Sequence, residues 1–367
     1  MIHPSSARYF GLDLARAVAI SVVIFSHFVS KLDFIGSFGV ELFFALSGYL
    51  IGSILWKNFS TSATWTFKHV FNFWQRRWWR TLPSYYLFFL VFYVFQKKFA
   101  VLPAQGILID HLWFGQNLTK LYGEFFYGVS WSLCIEEWFY LTFPVTLFLL
   151  AKLITNKKVA FMATIAVFFT GCLFIRLYFS IYAEGQGPLL GITICRLDAI
   201  ASGVMMAYLV NNYNLASQRK KILLVPATLG VLSPLIARFS PLSHEMASVI
   251  TLFLVPAGFA LALPFLADIN QFTNKRLSSS IQKISLWSYS MYLSHIPILF
   301  TLYELMGSSR NSLAGNLFSK IAGLLLCVIL SAFLFKYFES FFTKMRPHEL
   351  NSNSLSIYKQ TINPEIS

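Results

Sequence analysis

Residues 16–27 read RAVAISVVIFSH, in which an arginine and a histidine bracket ten apolar or small residues. Eleven positions make about three helical turns, so both side chains fall on one face of a helix, about 16 Å apart. Imidazole accepts and returns a proton near neutral pH, whereas guanidinium is a fixed cation suited to phosphate or carboxylate. In a spanning helix a charged group costs about 2.5–3.5 kcal/mol on insertion scales, so each one needs a reason. Glu41, Glu136, Glu137, Arg196, Asp198 and His295 raise the same question, each within an apolar stretch. The stretch QRRWWRTLP (75–83) adds Arg76, Arg77 and Arg80 interleaved with tryptophans, including Trp78.

The elements that must position these groups follow from composition. The 367 residues are 56% hydrophobic and 12% charged, with a mean hydropathy of +0.62. A soluble domain is nearer a quarter charged, so this chain has too few polar residues to coat a water-facing surface. The net charge of +14 does not point to nucleic acid, because the basic residues sit in short clusters between apolar runs and no nucleic-acid motif is present. Cys134, Cys172, Cys195 and Cys327 lie in or beside apolar segments without a CxxC, which favours buried free thiols. No metal-ligand spacing is present. The first apolar run outlasts a signal peptide and is expected to be a retained helix.

Apolar stretches of spanning length fall near 13–31, 38–56, 79–97, 128–151, 159–180, 189–211, 221–239, 247–267, 285–304 and 314–338. The expectation is an all-α polytopic membrane protein of about ten transmembrane helices. Lys57, Lys68, Arg76, Arg77, Arg80, Lys152, Lys157, Lys158, Arg219, Lys220, Lys221, Lys275, Arg276 and Lys283 then fall in alternate loops. The opposite loops hold Lys31, Lys97, Lys98, Lys120 and Arg310, with Arg176 and Arg238 near helix ends. This asymmetry predicts both termini in the cytoplasm. Residues 1–345 form one membrane-embedded unit and 346–367 a polar cytoplasmic tail, expected to be disordered. The long outer loop, 98–127, has room for an amphipathic or re-entrant piece.

That topology sets depths. Arg16 and the 75–83 cluster lie at the inner face. His27 lies near the outer face, Glu41, Glu136, Glu137, Arg196 and Asp198 in outer halves, and His295 near the middle. A vertical path results, with a cationic, aromatic inner mouth and a histidine–carboxylate chamber opening outward.

Six blocks carry a family likeness: GLDLARAVAISVVIFSH (11–27), GSFGVELFFALSGYLIG (36–52), FWQRRWWRTLPSYY (73–86), WSLCIEEWFYLTFP (131–144), CRLDAIASG (195–203) and SLWSYSMYLSHIP (285–297). In this order they resemble the membrane acyltransferase-3 family. The resemblance implies transfer of an acyl group, usually acetyl, from cytoplasmic acyl-CoA to hydroxyls of extracytoplasmic glycans such as O-antigen, exopolysaccharide or peptidoglycan, with some relatives acting on macrolides. It implies function for the Arg16/His27 pair, the RxxR at Arg77 and Arg80, the FFxxSG turn at Phe43–Gly48, and the acidic residue of WSLxxEE. Glu41 stands where the family usually has Asp. Many relatives append an extracytoplasmic esterase-like domain; without one, all chemistry is expected in the membrane unit.

Each role has a plainer rival. His27 suits a general base for a sugar hydroxyl, against a helix-packing contact. Adjacent Glu136 and Glu137 point about 100° apart; Glu136 is expected inward, orienting His27 or meeting the acceptor, and its neighbour could pair with Arg196. Arg77 and Arg80, aided by Arg76 and by Trp78 stacking on adenine, suit the phosphates of coenzyme A, against anchoring by a positive aromatic belt. Arg16 meets either Asp13 or a phosphate. Ser47 and Gly48 offer either a gap for the pantetheine arm or a tight helix contact. Glu41, Glu137, Arg196, Asp198 and His295 are expected to bind the acceptor, with partners on other helices for Arg196 and Asp198.

Together these readings predict an acetyl-CoA-dependent O-acetyltransferase of the bacterial inner membrane, with a lipid-linked or surface glycan as acceptor. Transfer is either direct or through an acyl-histidine. The rivals are a proton-coupled secondary transporter, an acyltransferase for a non-glycan small molecule, and a non-catalytic scaffold.

Overall fold

The computed structural model describes residues 9–29, 33–99, 105–119, 126–182, 189–213, 217–307 and 312–350. Lys31, Lys120 and Arg310, three of the outer-loop cations, lie outside these ranges. Among the described residues there is no strand. The helices are α1 (Phe10–Phe28), α2 (Asp33–Thr61), α3 (Phe67–Phe99), α4 (Gln105–Leu112), α5 (Ser130–Leu153), α6 (Lys157–Tyr182), α7 (Leu197–Asn212), α8 (Ser217–Ile222), α9 (Leu224–Val231), α10 (Ser233–Ala237), α11 (His244–Ala267), α12 (Lys275–Met306), α13 (Leu313–Leu334) and α14 (Ser340–Lys344). The protein is an all-α polytopic membrane protein.

Among the described residues, seven helical stretches are both long and apolar enough to cross a bilayer: Phe10–Phe28, Ile35–Thr61, Ser130–Leu153, Lys157–Tyr182, Thr193–Asn212, Glu245–Ala267 and Leu313–Lys344. Two further expected segments, 79–97 and 285–304, sit in α3 and α12, of 33 and 32 residues. These are long enough to span, and their apolar character is diluted by the polar side chains described below.

Segment 221–239 departs from the expectation of one straight helix. It is broken into α8, α9 and α10, because Pro226 and Pro234 each fall in the first turn of a new short helix. A proline lacks the N–H that would continue the preceding helix and clashes with the carbonyl four residues back. The chain must still return through the bundle here. α7 and α11 run the same way: Arg196 at the start of α7 donates to the Leu252 carbonyl, and Met206 shares a cluster with Ala260 and Leu263 further along both.

Glycine brings the central helices close. A Cβ on Gly48 would lie 1.9 Å from the Ile200 carbonyl oxygen, and one on Gly203 would lie 2.1 Å from that of Ala45. α2 and α7 therefore cross backbone to backbone, as small residues permit in membrane bundles. α2 is continuous through this point, so the expected turn at Phe43–Gly48 is absent; Gly48 makes the tight helix contact, while Ser47 beside it lines a cavity. α1 and α12 run parallel, with Asp13 meeting Ser285 and His27 meeting His295 ten to fourteen residues on.

Pro83 lies deep inside α3, which begins at Phe67 and not near residue 79. The early start puts Arg76, Arg77 and Arg80 on regular helix. Residues 346–350 fold back onto the same end of the bundle: Asn72 donates to the His348 carbonyl at 3.0 Å and Asn58 to Glu349 Oε1 at 2.8 Å. The ordered chain thus continues past residue 345, and 351–367 lie outside the described residues.

Candidate active site

A cavity of about 260 Å³ opens between α1, α2, α3, α5 and α12. Three guanidinium groups, Arg16, Arg77 and Arg80, lie in its wall with Glu136, Ser47 and Tyr140. Arg77 and Arg80 are three apart on α3 and share a face. Arg77 stands over the rings of Phe73 and Tyr140, 5.6 and 5.7 Å from their centroids. Among the described residues no carboxylate forms an ion pair with Arg77 or Arg80. Guanidinium groups without an ion-pair partner in a partly apolar cavity have the chemistry to meet an anion.

Arg16 meets the first of its expected alternatives, Asp13, together with Ser285. Its Nη1 lies 3.7 Å from Asp13 Oδ1 and 3.3 Å from Ser285 Oγ, while Ser285 donates to Asp13 at 2.7 Å. The same side chain still lines the cavity.

The two glutamates separate as their 100° offset requires. Glu136 faces the cavity and accepts from Tyr140 Oη at 3.0 Å; Ser47 Oγ lies 2.5 Å from that hydroxyl. Because the tyrosine proton goes to the carboxylate, Ser47 donates to Tyr140, giving a chain Ser47→Tyr140→Glu136. Glu137 turns away, accepts from Thr81 at 2.8 Å and lies in a separate pocket with Trp78, Trp113 and Trp138. It does not pair with Arg196.

Arg196 binds Glu41 instead, with both side chains buried. Asp198 binds Arg176 in a two-bond fork, Nη1 to Oδ1 at 3.0 Å and Nη2 to Oδ2 at 2.7 Å. Glu41, Arg196 and Asp198 do not line the cavity and are closed off from an acceptor. They tie α2, α6 and α7 together. Trp78 stacks on Trp74, with centroids 5.8 Å apart, outside the cavity wall, and Arg76 donates to the Pro347 carbonyl.

The histidines form a second centre. The outward flank of α1 carries Val18, Ser21 and Phe25, all exposed. His27 is nine positions from Val18, about 180° round the helix, and within about 20° of Arg16. His27 is itself exposed and meets His295 of α12 on the side of α1 away from Val18. His27 Nδ1 lies 2.9 Å from the Val23 carbonyl and 3.3 Å from His295 Nε2; His295 Nδ1 lies 3.1 Å from the Met291 carbonyl. A carbonyl can only accept, so the proton sits on Nδ1 of both rings. His295 Nε2 then accepts from His27, and His27 Nε2 keeps its lone pair.

Neither histidine lines the cavity. Tyr292 does, and its ring lies 5.9 Å from that of His295 and 6.4 Å from that of Phe43. The expected open conduit is thus divided by a layer of rings, and Glu136 is not beside His27. Tyr140, Thr81, Ser132 and Tyr292 complete these centres. Tyr140 sits four residues after Glu136, a helical-neighbour spacing that marks it in sequence; Arg176 had no such signal and was counted with the loop cations.

The acyltransferase domain family, acyltransferase-3, matches residues 9–337. The chain belongs to this family. It is 28% identical over 324 residues to a candidate O-acetyltransferase of Staphylococcus aureus (strain COL), covering 79% of this chain and 50% of that protein. Against the peptidoglycan O-acetyltransferase OatA of Listeria monocytogenes it is 25% identical over 316 residues, 78% of this chain and 49% of OatA. A candidate peptidoglycan O-acetyltransferase of Bacillus subtilis, YrhL, is 33% identical over 168 residues, 42% of this chain and 26% of YrhL. The chain spans about half the length of the first two relatives and about a quarter of YrhL. No solved structure matches it. Among the described residues of this acyltransferase-3 chain, three guanidinium groups share one cavity and the histidine pair lies outside it.

Proposed function

We propose that this protein is an O-acyltransferase of the bacterial cytoplasmic membrane, moving an acetyl group from cytoplasmic acetyl-CoA to a hydroxyl of an extracytoplasmic glycan. The observation that carries the reading is the cavity in which Arg16, Arg77 and Arg80 come together against the single carboxylate of Glu136, with no ion pair to Arg77 or Arg80 among the described residues. Guanidinium forks suit the phosphates of the donor, and the apolar wall of Val40, Phe43, Leu46 and Leu50 suits its pantetheine arm. The relatives' O-acetyltransferase names agree with the acetyl group and with a glycan acceptor.

The donor enters with its thioester leading toward Tyr292, whose displacement opens the way to the histidine pair. His27 Nε2 takes the proton of the acceptor hydroxyl as its oxygen attacks the thioester carbonyl carbon. The C–O bond forms, the C–S bond breaks, and the proton passes to the departing thiolate. His295 holds His27 in the tautomer that leaves Nε2 free.

Membranes carrying the protein, given acetyl-CoA labelled in the acetyl group, are expected to place label in surface glycan. Loss of that label in His27→Ala membranes containing equal amounts of protein supports the reading. Equal labelling with and without the protein overturns it.

A further inference from the structure

Outside the cavity wall the chain has a third cationic feature. Arg346 is exposed just past α14 and lies next to Pro347, whose carbonyl accepts from Arg76 Nη1 at 2.7 Å. Arg76 and Arg80 are four apart on α3 and share a face. The segment around Arg346 is fastened at several points. Trp79 stacks on Phe342 with centroids 6.2 Å apart, Arg346 Nε donates to the Thr343 carbonyl, and Asn72 and Asn58 hold His348 and Glu349. Among the described residues no carboxylate forms an ion pair with Arg346. Desolvation first, and then the positive charges of Arg76 and Arg80, pull its proton affinity down, against the smaller opposing effect of the Glu349 carboxylate. A strap that carries a cation toward two others, at a cost in mutual repulsion, is a built anion site.

We infer that the strap 344–349 forms the outer rim of the donor site, with Arg346, Arg76 and Arg80 binding the 3′-phosphate of the acyl-CoA. The inference rests on the acyl-CoA reading above. With the thioester pointing inward, the phosphates meet the protein in a fixed order. The pyrophosphate comes level with Arg77 and Arg80 in the cavity, and the ribose 3′-phosphate, further from the thioester, comes level with Arg346 at the rim. The strap thus supplies selection for coenzyme A over thioesters that lack this phosphate.

The test is binding of coenzyme A and dephospho-coenzyme A to the purified full chain in lipid nanodiscs. Wild type is expected to bind coenzyme A on the order of 10- to 100-fold more tightly, as charge-assisted phosphate bonds allow. Arg346→Ala is expected to bring that ratio near one while leaving dephospho-coenzyme A affinity unchanged, and Arg346→Lys to restore part of it. A general loss of fold would weaken both ligands together, so the ratio isolates the phosphate contact. Equal binding of the two ligands by wild type, or an unchanged ratio in Arg346→Ala, overturns the rim assignment and leaves the acyl-CoA reading intact. Failure of wild type to bind either ligand overturns both.

Discussion

His27 Nδ1 lies 3.3 Å from His295 Nε2, and both rings lean on the carbonyl four residues earlier in their own helix. Two parallel helices thus deliver two imidazoles in one protonation pattern. The outer ring of the pair keeps an unprotonated nitrogen turned away from its partner. His27→Ala is expected to abolish transfer while the protein still inserts, a loss of 10²–10⁴-fold or more for a general base. In the proposed mechanism His295 acts through His27 as a positioning residue. His295→Ala is expected to lower kcat with donor KM unchanged; a rise in donor KM alone would place His295 in the donor site instead. Steady-state kinetics on nanodisc-embedded protein makes the distinction.

Glu136 and Glu137 are neighbours in sequence and strangers in space. Glu136→Gln removes the charge that shares a cavity with three guanidinium groups, and is expected to cut transfer at least tenfold, since hydrogen bonds to charged groups are worth about 1.5–3 kcal/mol. Glu137→Gln weakens only the bond from Thr81, is expected to cost about 1 kcal/mol of stability, and leaves donor affinity alone. Tyr140→Phe cuts the chain between Ser47 and Glu136 and is expected to follow Glu136→Gln in transfer assays. The reverse ranking of the two glutamines would move the chemistry to the pocket that Glu137 shares with Trp78, Trp113 and Trp138.

The all-α bundle and the cationic mouth were legible in sequence because both are written in local patterns: apolar runs of spanning length, and arginines three apart on a helix. The inward turn of Glu136 followed from its 100° separation from Glu137. Partner choice among the buried charges was not legible. Arg196 could as well have met Glu137 as Glu41, and Arg176 read as a cation at a helix end until the fold set it against Asp198. Those pairings depend on which helices touch, which periodicity does not encode. The division of the path by Tyr292 was hidden for the same reason, and the tail's polar composition concealed that residues 346–350 pack against α2 and α3.

Arg176 and Asp198 are 1% and 0% exposed and bonded twice. Removing one partner leaves the other charge buried and alone, at a cost of about 3–5 kcal/mol. Arg176→Met is expected to lower the folded yield and the unfolding temperature sharply, and Asp198→Leu added to it to recover much of the loss, because the orphaned carboxylate goes too. A double variant no better than the single one would show that the pair contributes more than mutual neutralisation. Activity per folded molecule is expected to stay near wild type in the double variant, which separates this lock from an acceptor-binding role for Asp198.

The α2–α7 crossing sets the wall in which Ser47 stands, and Gly48 sets the crossing. A methyl at 48 would fall 1.9 Å from the Ile200 carbonyl oxygen and 3.0 Å from Gly203 Cα, well inside contact distance, and neither neighbour is a side chain that can rotate away. Gly48→Ala must therefore part the helices, and overpacking of this kind costs about 1–3 kcal/mol, occasionally more. Gly171 on α6 is the control: a Cβ there meets nothing within 4 Å, so Gly171→Ala is expected to stabilise slightly, by about 0.5–1 kcal/mol through helix propensity. Parting α2 from α7 also tilts Ser47 away from Tyr140. Gly48→Ala is accordingly expected to lose transfer in the molecules that still fold, and Gly171→Ala is not; thermal unfolding and labelled-acetyl transfer on the same preparations test both halves. A Gly48→Ala protein with wild-type stability would mean that the two backbones are not held at this distance.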